Sequence, residues 1–478
     1  MPVFAHVLRH AADRPHHPAV RSRSGELSYA ELAGRVAGAA RRLADLRTRA
    51  APPRPDLRAG RGALVAVSLD DPVEMLVAVL AADLAGATPL VCDPSWGPDR
   101  RAQVMRAVPV DALVDAALSA PAVCPPRPRA AAPDDPAWAC FSSGSTGRPR
   151  AVVRTRASWT ASFPYLDRLT GIGPGDVVLV PGPLVSSLYA FAAVHTLAIG
   201  ATAMLPGRWS PADLSADLAR ATVVHLVPHR LPAVLDALSR TTSPLRTAVI
   251  GGAALPAGAR ERAAEAGVHV VSYYGATELS FVALDADGSG LRPFPGVDIE
   301  VRLPQGEGLV QQGQGLGELW ARSPWLSQGY LAGATGPLRT DDAGWMTVGD
   351  LAEPYRPGEV LRLRGRGDGA IQTGGATVVP EDVEEVLRSV PGVGDIVVVG
   401  SPHPYLGSVV TAVLETRDAT PPPRARLEAA ARSGLDTAQR PRRWYAVPEL
   451  PRTATGKPAR GLVATRLADG DPGLRRLG

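Results

Sequence analysis

The chain has 478 residues, 45% of them hydrophobic and 21% charged, with a net charge of +4. That length exceeds one simple core and suits a soluble protein of about two or three domains. Acids and bases are interspersed, and no basic run alternates with aromatics, which excludes a nucleic-acid groove. The longest apolar stretch, 73–87, is interrupted by Glu74 and Asp83, so no membrane-spanning helix is expected.

The first ten residues lack the charged and apolar blocks of a signal peptide. Cys92, Cys124 and Cys140 lie far apart, with no CxxC pair, which argues against a disulfide framework or zinc site. A reducing cytoplasm is the expected compartment. Among the 51 basic residues only Lys457 is a lysine. A lone lysine in so arginine-rich a chain is either chance or the mark of a place where a compact ammonium on a thin, flexible stem is wanted, and its neighbourhood decides between them.

In chain order, two stretches rich in Pro, Arg and Ala, 51–62 and 121–136, read as irregular surface segments. Between them the pattern alternates. A β-branched run at 63–69 precedes an apolar helix at 72–86, and a strand at 88–92 precedes a polar-faced helix at 99–108 and a strand at 111–115. This grammar predicts a parallel sheet covered by helices, and it returns in strands at 176–182, 222–228 and 247–252. After about residue 290 glycine and proline become dense, and strands at 297–303 and 316–322 suggest a more antiparallel portion. A further unit begins near Arg366–Gly369, with a strand from Ala370, a helix at 380–390, a strand at 395–401 and a helix at 424–435.

The sharpest chemical signal is FSSGSTGRPRAVV, 141–153. Hydroxyls and backbone N–H groups from Ser142, Ser143, Gly144, Ser145, Thr146 and Gly147 can converge on an anion, and Arg150 adds a fixed charge. The Gly-Lys-Ser/Thr ending of a Walker A loop is missing. Downstream, IGGAAL (250–255) ends a strand on glycines that admit a flat heterocycle. YYGATE (273–278) offers a ring to stack on a purine, a hydroxyl for a phosphate oxygen and a carboxylate for Mg²⁺. AGWMTVGD ends on Asp350, a carboxylate suited to two ribose hydroxyls, and GRGDGAIQTGG (365–375) sets Arg366 and Asp368 among glycines at the domain boundary. PRTATGKPAR (451–460) carries Lys457 on a loop near the end of the chain. Any one block alone would pass for an ordinary loop or turn; the meaning lies in their order.

These blocks together resemble the superfamily of acyl-CoA synthetases, peptide-synthetase adenylation domains and firefly-type luciferases, from LSYAEL (27–32) to GKPAR (456–460). The resemblance implies an α/β fold. A large N-terminal domain, 1–365, would combine helix-covered, mostly parallel sheets with a distorted β-barrel portion, and a small mobile α+β domain, 366–478, would follow. It implies ATP, Mg²⁺ and CoA as cofactors, and roles for individual residues. Ser142 to Gly147 with Arg150 would grip the β- and γ-phosphates; Gly252, Ala253 and Gly275 would line the nucleotide and Tyr274 would stack on adenine. Thr277 would touch the α-phosphate, Glu278 would bind Mg²⁺, and Asp350 with Arg366 would hold the ribose. Asp368 would be the hinge, Lys457 would bridge the attacking carboxylate and the α-phosphate, and the loop at Gly374 and Gly375 would line the acceptor channel.

The family's usual lysine is Arg150 here, its usual lysine after the hinge is Gln372, and an aromatic or histidine of the acyl segment is Ser186. Leu184, Ser186, Leu188, Tyr189, Gly251 and Phe281 are the expected acyl-pocket residues, and they suggest an apolar or aromatic acid. CoA is the expected acceptor. An amine or a carrier-protein thiol supplied in trans is the alternative, and a non-catalytic nucleotide-binding homologue is a lesser one.

Overall fold

The computed structural model describes residues 4–49, 63–96, 98–118, 132–141, 150–256, 258–303, 308–310, 315–334, 336–366, 369, 371–373, 376–403, 406–416, 420–435, 439–453 and 456–478. The run 51–62 and the greater part of 121–136 lie outside them. The expected alternation is present. Ala63–Val67, Ala87–Val91, Ala112–Val114 and Pro136–Phe141 are parallel strands of a six-stranded sheet, to which Ala151–Thr155 and Gly329–Tyr330 add antiparallel. The apolar helix is Pro72–Leu84, started by Asp71, whose carboxylate accepts from the N–H groups of Val73 and Glu74. Its mostly apolar circumference fits its burial on nearly every side.

A nine-stranded sheet forms the other half of the first unit. Its parallel core runs His269–Ala276, Thr247–Gly251, Val223–Leu226, Val177–Leu179, Thr202–Leu205 and Pro18–Ser22, flanked by antiparallel edge strands. One face packs on Leu214, Leu218, Leu231, Val234 and Ala263, through Val224, Leu226, Ala248 and Ile250. Elsewhere in this unit an aromatic cluster joins Trp159, Phe163, Phe191, Phe281, Phe294 and Trp325, with ring centroids 4.9–5.4 Å apart.

His225 is 2% exposed, and its Nε2 has no hydrogen-bond partner among the described residues. Burial, then the neighbouring His195, pushes its pKa from 6.5 down to about 3. The unfolded chain therefore takes up a proton below pH 6.5 that the folded chain refuses until about pH 3. Stability is full above pH 6.5 and should fall by about 1.4 kcal/mol per pH unit below it. Denaturation midpoints between pH 7 and 4 test this, and the slope should weaken in His225→Leu.

The first unit comprises Met1–Ser142, Pro149–Asp298 and Ala321–Leu338, and the second takes in Ile299–Trp320 and Arg339–Gly478. The portion expected as a distorted barrel is an open sheet among the described residues. Arg339–Thr340, Met346–Thr347, Gly317–Arg322, Asp350–Ala352 and Leu363–Arg366 lie in that order, with Asp298–Arg302 paired to Gly317–Arg322. Arg302 accounts for part of its cohesion: its guanidinium lies over Trp320 and Trp345 and pairs with Glu300 and Asp341.

The last sheet orders Ala376–Val378, Ile371–Thr373, Gly407–Glu415, Arg443–Val447 and Arg475–Arg476, with Asp395–His403 on Gly407–Glu415. Helices Pro380–Arg388 and Arg424–Gly434 pack on it through Val383, Leu387, Leu427 and Ala431. No helix among the described residues is long and apolar enough to cross a membrane.

Candidate active site

The nine-stranded sheet changes winding direction beside Val177–Leu179. The chain leaves that strand through helix Ser187–Ile199 to Thr202–Leu205 on one side, then returns to Val223–Leu226 on the other. In open α/β sheets such a switch parts the loops at the carboxyl ends of the strands and leaves a crevice there. Ser186, Leu188 and Tyr189 follow the first of these strands. Gly252 and Ala253 follow Thr247–Gly251, and Thr277 and Glu278 follow His269–Ala276. Blocks 90 residues apart in sequence meet directly: Ser187 Oγ lies 3.0 Å from Thr277 Oγ1.

Glu278 is 4% exposed. Tyr330 donates its phenol proton to Glu278 Oε1 at 2.9 Å, and the Ser327 N–H bonds the Glu278 carbonyl at 2.9 Å. Burial first, then the charge of Glu278, holds the Tyr330 hydroxyl well above its ordinary range, opposed by Arg150. Arg150, 9% exposed, immediately precedes the strand Ala151–Thr155 of the six-stranded sheet. A Cβ on Gly336 would lie 2.9 Å from Arg150 Cδ and 2.6 Å from Tyr330 Cε2, so the two side chains share one narrow place. Thr277, Glu278 and Arg150 are thus gathered on one unit. Ser187 and Tyr330, which complete the group, carried no sequence signal beyond proximity to a motif.

Gly252 has φ +97, a conformation open to glycine. Gly275 is demanded by its own hairpin, because a Cβ there would lie 2.0 Å from the Ser280 carbonyl oxygen. Tyr274 is half-buried and Ala253 exposed. Among the residues expected at the acyl pocket, Ser186 starts the Ser187–Ile199 helix without a side-chain cap, and Leu188 is half-buried. Tyr189 is fully buried. The Tyr273 ring covers Gly251, and Phe281 stands inside the aromatic cluster, 4.7 Å from the Tyr273 ring.

In the second unit, the backbone register sets Asp350 opposite Arg366 across adjacent strands, with Asp350 7% exposed. Lys457 is half-buried in a loop pinned at both ends. Its carbonyl accepts from the Thr453 N–H at 2.7 Å, and Arg452 pairs with Asp395 at 3.3 Å and Glu415 at 2.8 Å. Arg460 pairs with Glu381 at 2.6 Å and with buried Glu384 at 2.5 Å. Ser142, Ser143, Gly144, Ser145, Thr146, Gly147, Asp368, Gly374 and Gly375, and the side chains of Arg366 and Gln372, lie outside the described residues.

The donor set fits a magnesium nucleotide. One buried carboxylate beside a hydroxyl suits a hard cation that brings most of its oxygen ligands with it as phosphates and waters. Among the described residues, burial pushes the Cys92 and Cys140 thiols up to about 12, so neither is a ready nucleophile.

Family models of the AMP-binding enzyme match residues 7–129 and 115–331, and the AMP-binding enzyme C-terminal domain matches 382–457. The uncharacterized acyl-CoA ligase YhfT of Bacillus subtilis (strain 168) is 35% identical over 345 residues, covering 69% of this chain and 68% of that protein. A feruloyl-CoA synthase of Amycolatopsis sp is 30% identical over 493 residues, covering 96% and 98%. Among solved structures, O-succinylbenzoate coenzyme A synthetase from Bacillus subtilis in complex with AMP shares the fold, with TM-score 0.84 at 22% identity over 100% of this chain and 99% of that one. The gathered Thr-Glu-Arg site, the ordered motifs and these matches agree: the chain belongs to the AMP-binding enzyme family of acid–thiol ligases.

Proposed function

We propose that this ligase converts an apolar or aromatic carboxylic acid and ATP to acyl-AMP and pyrophosphate, then passes the acyl group to the thiol of CoA. The observation that carries the reading is Glu278, a buried carboxylate joined to Thr277 in sequence and held by Tyr330. A buried carboxylate is costly without positive charge beside it, which the nearby Arg154 supplies in part and a bound cation would complete. The likeness to feruloyl-CoA synthase supports the aromatic class of acid.

The chemistry follows from charge. A carboxylate attacking an α-phosphate brings anions together, so the site must offset negative charge as it builds. Magnesium, when bound, supplies Lewis-acid neutralisation of the phosphates. Glu278 would hold it, Thr277 would orient the α-phosphate with its hydroxyl fixed by Ser187, and Arg150 would draw the outer phosphates. Gly252, Ala253, Gly275 and Tyr274 would frame adenine, and Asp350 with Arg366 the ribose. Lys457 supplies the ammonium for the attacking carboxylate. Transfer needs no enzyme nucleophile: the CoA sulfur attacks the acyl carbon and AMP leaves.

We place the working boundary at 365/366, with 1–365 as the nucleotide and acyl domain and 366–478 as the domain carrying Lys457. The passage from Leu363–Arg366 in one sheet to Ile371–Thr373 in the next supports it. Asp368 is the proposed hinge.

Pyrophosphate release over a panel of aryl, fatty and amino acids, each with CoA, a carrier-protein thiol or an amine, tests the reading. Expected is release with an aryl or apolar acid and an acyl-CoA product by mass. Turnover only with amino acids, or only with amines or carrier thiol, would contradict it. Glu278→Gln should lower adenylation about 10²- to 10³-fold, read in the same assay.

A further inference from the structure

Arg154 lies on the strand Ala151–Thr155, immediately after the Ser/Gly-rich loop in the chain. It is 5% exposed, yet among the described residues its hydrogen bonds go to neutral acceptors only. Nε donates to Ser158 Oγ at 3.2 Å and Nη1 to the Thr277 carbonyl at 2.9 Å. Nη2 donates to the Ser158 carbonyl at 2.9 Å and the Trp325 carbonyl at 2.5 Å. The guanidinium also stands 5.9 Å from the Trp159 ring centroid.

An arginine in this chain signifies little by itself, since it is the default cation. Its position signifies more. A buried guanidinium with no bonded carboxylate is costly, and what offsets it is the set of acceptors it ties and the nearby charge of Glu278. Those acceptors belong to separate segments: the short helix Arg156–Thr160, the Thr277–Glu278 turn and the Trp325 turn that precedes Ser327. Ser327 in turn bonds the Glu278 carbonyl. Only a planar fork with several donors reaches these directions at once. Burial draws the guanidinium down to about 10, so it stays charged at neutral pH.

We propose that Arg154 is a positioning residue for adenylation: by holding the Thr277 carbonyl it aims the Thr277 hydroxyl and the Glu278 carboxylate at the nucleotide, and it locks that turn to the strand leaving the phosphate loop. The proposal rests on the functional reading above and adds to it a residue that touches neither ATP nor acid. A passive strut would fail differently. Its loss would loosen the fold and slow both half-reactions alike, whereas a displaced Thr-Glu turn slows adenylation alone.

The test is the two half-reactions measured separately in Arg154→Lys and the parent: acid-dependent pyrophosphate release, and CoA thioester formation from supplied acyl-adenylate. Expected is a loss of about a hundredfold in the turnover number of adenylation, with the KM for ATP and the transfer rate each within about threefold of the parent. Adenylation within about threefold of the parent, or equal losses in both half-reactions, overturns the proposal. Should Arg154→Lys fail to fold, Ser158→Ala decides: removing one anchor should cost adenylation about three- to tenfold and spare transfer, and unchanged adenylation overturns the proposal. A parent that releases no pyrophosphate with any acid removes the functional reading itself, and this proposal with it.

Discussion

Replacing Lys457 by alanine is expected to lower acid-dependent pyrophosphate release about a thousandfold while leaving nucleotide binding largely intact. Phosphate and ribose recognition is assigned to other groups, Arg150, Thr277, Glu278, Asp350 and Arg366, so the loss should fall on the turnover number and not on the KM for ATP. The ammonium is wanted when a second anion, the acid, approaches the α-phosphate. Lys457→Arg is the sharper variant. Guanidinium serves nearly everywhere else in this chain, but it is broad, planar and less able to enter a crowded oxyanion site. It should recover only a small part of the lost rate. Because no other lysine is present, amine-selective methylation alters only Lys457 and the α-amino group, and the same assay reads it independently of mutation. Unchanged pyrophosphate release in Lys457→Ala would contradict the assignment.

Arg460→Ala is expected to destabilise the C-terminal unit by about 3–5 kcal/mol, because it strips the partner from a buried carboxylate. Glu384 is 6% exposed; it accepts from Arg460 Nη1 and from the Val398 N–H at 2.8 Å. Arg460 also donates to the Val398 carbonyl at 2.6 Å, so one side chain joins helix Pro380–Arg388, strand Asp395–His403 and the segment just after Lys457. Burial already raises the Glu384 pKa despite the opposing charge of Arg460. Without Arg460 it rises further, and the native state then keeps a proton that the unfolded state loses above about 4.5. The deficit should therefore be greatest at neutral pH and shrink as pH falls towards that value. Urea denaturation at pH 7 and 5.5 reads both effects. The double variant Arg460→Ala, Glu384→Leu should recover much of the loss, since it removes the stranded charge as well.

Much of this architecture was legible in the residues. Apolar runs bounded by Gly, Pro and Asp placed the parallel strands Ala63–Val67, Ala87–Val91, Val223–Leu226 and Thr247–Gly251 and the helix Pro72–Leu84 within a few residues. Those elements are buried on both faces, so their burial is written into unbroken hydrophobicity. The sheet around Gly317–Arg322 was harder. Its strands are short and glycine-interrupted, and whether such a set closes or stays open is fixed by tertiary pairing, as at the Asp350–Arg366 register, which no local pattern reports.

The proposed site residues divide the same way. Thr277, Glu278 and Lys457 stand in ordered motifs and could be named at once. Tyr330 and Ser187 reach the Thr277–Glu278 turn from 52 and 90 residues away, and Arg154 reaches it from 123. Arg154 and Ser187 adjoin motifs, but nothing in the residues themselves reports which distant turn they reach. A long-range hydrogen bond leaves no periodic trace. Phe281, expected at the acyl pocket, stands in the aromatic cluster, stacked 4.9 Å from Phe294 and edge-on 5.0 Å from Phe191, and such packing across distant segments leaves no local trace in the sequence.

The most direct measurement follows one oxygen atom. An acid labelled with ¹⁸O in its carboxylate is turned over with ATP and CoA, and the AMP formed is weighed. Attack of the carboxylate on the α-phosphate makes that oxygen the acyl–phosphate bridge, and cleavage of the acyl–oxygen bond by the thiol leaves it on AMP. Expected are AMP carrying one ¹⁸O and unlabelled pyrophosphate. Label in inorganic phosphate, or AMP without it, would contradict this route.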